Sequence, residues 1–563
     1  MKVSINIIIV FILLLPALAH AQSTYLIAGG KEETMLNRLE IKTRTNQLAF
    51  STIKPYNRKA TVKDVELYDS LFNVGDKNAT LLTEIDKYNM QRFLMNNSEW
   101  SKPREIYKSE KPILKNFYQT RGNMVEIKNK DFTLIVNPIV QYHQGSKSGN
   151  TQSTFFNQRG LVTRGIIGEK IGFYFYFTEN QERQPTYMQD WVTKHLAVPG
   201  AGYIKTFKTN GHDYFDIRGG ITWKVAKFMD MQLGYDRNFI GNGYRSLFMS
   251  DFATNMMFLK VNTHFGKFNY QNIFSEMGAF RKAGGDRIYP RKYFRMTHLS
   301  YNATKWLNIG LFDGVMLGKT DALSLQLFNP IIYANIPSNN TNNGRKDKSY
   351  TGFDIKANLA KKFQVYGQLM VDKLKLDELK NDWWGNKFGY QAGIKYIDVL
   401  GVKNLDVQVE TNVVRPFTYS STDSFTSYNH YNQPLAHPLE ANFEEYIGIL
   451  KYQPLKHLYL ETKLIYYQQG LDSTKGGVLQ NYGGNIFAFN QTRPFDNGWK
   501  VGTGDLAKCT IFTFLASYEI RENLFFDLYI LSRNFDRKST GKASVTQFTA
   551  GIRWNVGRRE FIF

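Results

Sequence analysis

The segment from Val545 to Val556 alternates without a slip. Phe548, Ala550, Ile552, Trp554 and Val556 fall on one side, and Gln547, Thr549, Gly551, Arg553 and Asn555 on the other. Successive strand side chains point to opposite faces, so this strand has one apolar and one polar face. The chain then ends on Phe563, an aromatic. A two-faced last strand that ends in an aromatic, on a chain with an export signal, reads as the closing strand of an outer-membrane β-barrel.

The same pattern recurs from residue 132 onward. Tyr214–Val225 places Phe215, Ile217, Ile221 and Trp223 opposite Asp216, Arg218, Thr222 and Lys224. Phe132–Tyr142, Met229–Asp236, Met256–Phe265, Leu307–Met316, Leu405–Val414 and Leu524–Arg533 follow suit, and the full set gives about 18 antiparallel strands. Tight links such as Gly266, Ala303-Thr304-Lys305 and Arg521-Glu522-Asn523 alternate with wide loops at 179–213, 237–255, 373–387, 415–443 and 468–509. Short periplasmic turns and long outer loops are the habit of bacterial barrels, and an even count leaves both barrel ends in the periplasm. The expected fold is all-β, a transmembrane barrel over 126–563.

Ahead of the barrel lie two other regions. Lys2, an apolar run from Ile7 to Leu18 and Ala19-His20-Ala21 form a signal peptide over 1–21, so the destination is the bacterial outer membrane. Residues 22–125 read as a small, partly helical periplasmic domain and linker. Val65, Tyr68 and Phe72 recur at helical spacing, and Thr83 with Asp86 forms a weak capping box. Leu36–Thr43 fits a helix or a strand.

Composition agrees with interleaved faces: 42% of residues are hydrophobic, yet the mean hydropathy is −0.39. Aromatic residues make up 15%, which suits interfacial girdles. Cys509 is the only cysteine, so no internal disulfide forms. The net charge of +22 draws anions. Outside the cell wall these are lipopolysaccharide phosphates, other outer-membrane lipids and acidic surface polysaccharide rather than nucleic acid.

The segment 236–253 carries the most unusual motif. Gly241 and Gly243 flank Asn242, which predicts a tight turn with positive φ. The apolar run Leu247-Phe248-Met249 follows, so the segment should fold against the wall or into the lumen. Asn242, Tyr244, Arg245 and Asp251 are its candidate ligand contacts. Wide loops add Trp383, Trp384, Tyr428, Tyr482 and Trp499, because aromatic faces beside amides suit sugar rings. The sequence has no Gly-x-Ser-x-Gly elbow, zinc-binding His-Glu-x-x-His or P-loop, and its nine histidines lack metal-ligand spacing. The expectation is a protein without catalysis, metal or cofactor.

Ile240-Gly241-Asn242-Gly243 and Leu247-Phe248-Met249-Ser250-Asp251-Phe252-Ala253 resemble the Wzi-like family of outer-membrane capsule-assembly barrels. His298-Leu299-Ser300-Tyr301-Asn302, Phe312-Asp313-Gly314-Val315-Met316 and Leu36-Asn37-Arg38-Leu39-Glu40-Ile41 extend the likeness, especially to the branch that includes the gliding-motility protein RemB. The resemblance implies an 18-stranded barrel with a periplasmic helical element. Its implied role is capsule or exopolysaccharide assembly or attachment, or gliding motility and adhesion, with envelope motility or assembly proteins as partners. The tryptophan and proline that mark this turn in the capsule branch are Ile240 and Asn242 here. The rival reading is a diffusion channel with anion preference, and the discriminator is whether loop 237–255 plugs the bore.

Overall fold

The computed structural model describes residues 24–26, 31–44, 50–77, 79–147, 153–168, 170–202, 204–279, 290–318, 325–333, 347–423, 425–488 and 490–563. The expected signal peptide lies outside them. Eighteen antiparallel strands close into one barrel. They are β1 (Phe132–Lys147), β2 (Thr154–Ile167), β3 (Ile171–Arg183), β4 (Gly211–Ala226), β5 (Met229–Asp236) and β6 (Met256–Phe265). Next come β7 (Phe268–Gly278), β8 (Arg291–Asn302), β9 (Leu307–Met316), β10 (Lys348–Leu359), β11 (Phe363–Lys373) and β12 (Lys387–Tyr396). The last are β13 (Leu405–Val414), β14 (Phe443–Leu455), β15 (Leu458–Leu471), β16 (Asp505–Arg521), β17 (Leu524–Arg537) and β18 (Gly541–Trp554).

Each expected strand is present, and several run further than the alternation alone marks. The aromatic run Gly172–Thr178 marks β3 in the sequence, but the strand continues to Arg183, and β1 continues past Tyr142 to Lys147. Above the membrane both faces are wet, so the apolar rhythm fades while backbone pairing continues. β18 closes the cylinder by pairing with β1, Trp554 opposite Val140 and Gln547 opposite Lys147. Closure satisfies every backbone donor and acceptor that hydrocarbon would otherwise orphan. On β18 Phe548 and Ile552 point outward and exposed, while Arg553 points inward and donates to Asp527 at 2.7 Å.

β18 ends at Trp554, two residues before the alternation does. Asn555 adopts a left-handed φ of 56° and its amide donates to the Pro138 carbonyl at 2.9 Å. Residues 556–563 then run back inside the barrel, with Ile562 and Phe563 buried. The final aromatic therefore packs in the lumen and is not part of the outer girdle.

Among the described residues three α-helices precede the wall: α1 (Lys31–Thr43), α2 (Arg58–Asn73) and α3 (Glu84–Asn96). The stretch Leu36–Thr43 is thus helical. Thr83 caps α3 through the reciprocal Thr83–Asp86 box, and Val65, Tyr68, Leu94 and Phe93 form a core of their own. The helices sit against the short-turn mouth. Arg38 donates to Asp86 at 2.8 Å on α3 and reaches Asp398 at 3.0 Å and Asp406 on the wall. Glu40 meets Lys356 of β10 at 2.8 Å, with both side chains buried. Burial pushes the Asp86 carboxyl up, but Arg38 and Lys42 more than offset this and hold it well below the usual carboxylate range.

Candidate functional site

Segment 237–255 folds into the bore. Ile240 and Phe239 pair antiparallel with Ile53 and Lys54, so the outer loop and the N-terminal chain meet inside the cylinder. The Gly241 N–H donates to the Thr52 carbonyl at 2.7 Å, and the Asn242 amide to the Thr52 hydroxyl at 3.1 Å. Gly241 has the expected positive φ, 157°. Gly243 does not need one. A Cβ there would lie 2.5 Å from Glu410 Oε2 and 2.8 Å from Gln391 Oε1, so glycine is required by close approach to the wall.

Glu410 of β13 accepts the backbone N–H groups of Tyr244 at 2.6 Å and Arg245 at 3.0 Å, and the Tyr366 hydroxyl at 2.8 Å. Gln368 of β11 accepts the Leu247 N–H at 2.9 Å and donates to the Ile240 carbonyl at 3.0 Å. Leu247, Phe248 and Met249 are 0% exposed. The expected plug is therefore in place: polar side chains of the wall supply the partners that the inserted backbone lost.

Loop 415–443 seals this plug from outside. Tyr419 donates to the Leu247 carbonyl at 2.8 Å and Tyr428 to the Phe248 carbonyl at 2.5 Å. His430 Nε2 bonds the Asn255 carbonyl and Nδ1 accepts the Gly278 N–H, each at 3.0 Å. Burial lowers His430 from 6.5 to about 4. A depressed histidine pKa gives stability present above the unfolded value and lost as pH falls toward the folded one. Acidification from 6.5 toward 4 is expected to loosen loop 415–443 by on the order of 3 kcal/mol. Amide exchange of residues 427–435 checks this, and His430→Gln should flatten the dependence.

A chamber of about 690 Å³ lies between the helices and the plug. Tyr244, Arg245 and Asp251 line it, with Arg237, Lys463 and the tail residues Arg559 and Phe561. Several of its charges are paired: Arg245 with Glu445 at 3.2 Å, Arg218 with Asp216 at 2.6 Å, and Lys463 with Glu461 at 2.7 Å. The tail forms its ceiling. Tyr187 donates to the Phe561 carbonyl at 2.6 Å, and Phe563 packs edge-on against Trp191 and Phe252. Nothing in the alternation of β18 announced this tail, although the charge run Arg558-Arg559-Glu560 suits a lumen better than a lipid face.

The other aromatic candidates gather at the outer rim. Trp383 and Trp384 are half-buried and lie 5.7 Å apart at 61°. Lys373 and Lys375 sit over the Trp383 ring at 5.2 and 5.0 Å, and Lys387 and Arg493 over Trp384 at 5.0 and 4.1 Å. The rings stand on a joined pair of loops. The Trp384 N–H donates to the Asp496 carbonyl and the Trp499 N–H to the Asp382 carbonyl, both at 2.9 Å. Trp499 is 0% exposed, packs on Phe495 at 4.4 Å and lies 6.2 Å from Tyr482. Of the nine candidates, then, two form a basic aromatic platform and two support it, three line the chamber, and Asn242 and Tyr428 hold the plug. The cations Lys373, Lys375, Lys387 and Arg493 were not singled out from the sequence, because lysines near a loop look alike until the rings beneath them are placed.

Over the whole chain, the fold is similar to Wzi, an outer-membrane protein of Escherichia coli described as involved in group 1 capsule assembly and as a carbohydrate-binding β-barrel. The match has a TM-score of 0.54 at 11% identity and covers 96% of this chain and 100% of that one. OprD of Pseudomonas aeruginosa overlaps more loosely, at a TM-score of 0.40, 9% identity, and 75% and 94% coverage. A search of the curated proteins finds no match in sequence. The family model of the capsule assembly protein Wzi matches residues 126–512, more than half of the chain and the wall from β1 into β16. This outer-membrane barrel belongs to the Wzi capsule assembly family.

Proposed function

We propose that this barrel is a non-enzymatic surface anchor that holds an acidic polysaccharide at its outer rim. The observation that carries the reading is the Trp383–Trp384 platform with four cations over its rings. Indole faces stack on the C–H faces of sugars, and lysine and arginine meet carboxylates, so each repeat of the polymer gains a weak contact. Many weak contacts along one chain give firm retention. The capsule and RemB-like motility readings share this binding step. A deletion strain scored separately for capsule retention and for surface spreading distinguishes them, and both remaining normal would sink the proposal.

The double variant Trp383→Ala/Trp384→Ala tests the platform directly. The loss of two contacts of about 1 kcal/mol each predicts roughly thirtyfold weaker binding of a polyuronate probe, amplified when the probe is long. The barrel should keep its heat-modified gel mobility. Unchanged binding would move the site elsewhere. The filled bore argues against the channel reading, so the purified wild-type protein should be silent in a planar bilayer.

A further inference from the structure

We propose that the periplasmic rim carries a phospholipid-binding collar: a ring of exposed basic side chains, one per turn, that takes anionic phospholipid headgroups of the periplasmic leaflet. Eight short turns connect the strands at the mouth where the helices dock. The first four present Lys170, Lys227, Lys267 and Lys305, and the second four present Lys362, Lys403, Lys456 and Arg521. All are exposed, and none makes an ion pair among the described residues.

The contrast with the interior gives this ring its meaning. Many interior cations meet carboxylates, as Arg38, Lys42, Lys356 and Arg553 do. The turns themselves are sorted by sign. Asp398 faces inward to Arg38 and Lys42, and Glu522 meets Arg92 of α3 and Arg121 of the stretch that follows it. Asp398 and Glu522 thus serve internal docking, and the bases of the turns are left outside.

A protein partner or a soluble polymer would not explain the residues beside these bases. Phe228, Phe265, Trp306 and Leu455 lie in or beside the same turns, exposed. Ile171 and Ile520 flank two others in the same way. Apolar side chains next to long basic ones match the boundary between acyl chains and headgroups, where the stem of a lysine lies along hydrocarbon and its ammonium reaches phosphate. Strands of 9–11 spanning residues end at that depth. A basic cluster at a membrane surface attracts anionic lipid over about a Debye length.

The test uses the full chain reconstituted in phosphatidylcholine vesicles with a trace of spin-labelled phosphatidylglycerol or phosphatidylcholine. The immobilised fraction in the spin-label spectrum reports the lipids at the wall. Wild type should favour phosphatidylglycerol several-fold at low salt and lose the preference at high salt. The variant with all eight bases changed to glutamine should bring the ratio to about one. A variant changing only Lys170, Lys227, Lys267 and Lys305 should reduce it by about half, which keeps the test open if the larger variant folds poorly. A control changing the outer residues Lys475, Lys500, Lys538 and Lys542 should leave it intact. A wild type without preference, or a collar variant that keeps it, overturns the proposal; both results are independent of polyuronate binding at the outer rim.

Discussion

Arg38→Met is expected to release the helical segment from the barrel mouth. Arg38 bonds Asp86 of α3 and also reaches Asp398 and Asp406 of the wall. Its guanidinium is buried, and the burial penalty is more than offset by these carboxylates, which raise its pKa well above the ordinary value. Methionine keeps most of the volume and removes the charge. Three carboxylates then share a dry site with Lys42 as their remaining cation. Truncating one partner of a buried pair costs about 3–5 kcal/mol because the other is left uncompensated. The segment should therefore become sensitive to protease and to amide exchange over 31–96 while the wall stays folded. Adding Asp86→Asn and Asp406→Asn to the Arg38 variant should recover much of the loss, since neutral amides need no counter-charge. No recovery would mean that shape rather than charge holds the segment.

Gly243→Val is expected to open the bore. The added Cβ falls 2.5 Å from Glu410 Oε2 and 2.9 Å from the Arg245 carbonyl, below any contact a real Cβ makes. Glu410 cannot retreat freely because it caps two backbone N–H groups of the plug and holds the Tyr366 hydroxyl. Overpacking costs about 1–3 kcal/mol, and the two orphaned N–H groups add about 1–3 kcal/mol each. Residues 241–249 should leave their seat, and Leu247, Phe248 and Met249 should lose burial. Steady conductance in a planar bilayer checks this. Gly243→Ala should give a weaker, flickering version, and a variant as silent as wild type would show that the seat tolerates a side chain.

The wall was legible because membrane strands obey a period of two and their lipid face admits few polar residues. Val545–Val556 and Tyr214–Val225 declare themselves on that rule alone. α2 and α3 were legible from Val65, Tyr68 and Phe72 and from the Thr83–Asp86 box. The inside was harder. A lumen-facing Glu410 or Gln368 has the same place in the alternation as one facing water, so sequence shows that it points inward but not what it holds. The inserted run Leu247-Phe248-Met249 could be foreseen because it is too apolar for an exposed loop. The tail could not, since Phe561-Ile562-Phe563 suits a girdle as well as a lumen. Trp383 and Trp384 announced an aromatic loop, but the support from Trp499 depends on two loops more than a hundred residues apart in the chain.

The pairing of Ile53–Lys54 with Phe239–Ile240 has a mechanical side. A polymer tugging on the cell-surface loops pulls a ribbon that is stitched to the chain leading into α2. Antiparallel hydrogen bonds loaded along the strands resist in shear, together rather than one at a time. Tension arriving from outside is thus spread through the inserted segment to the inner rim.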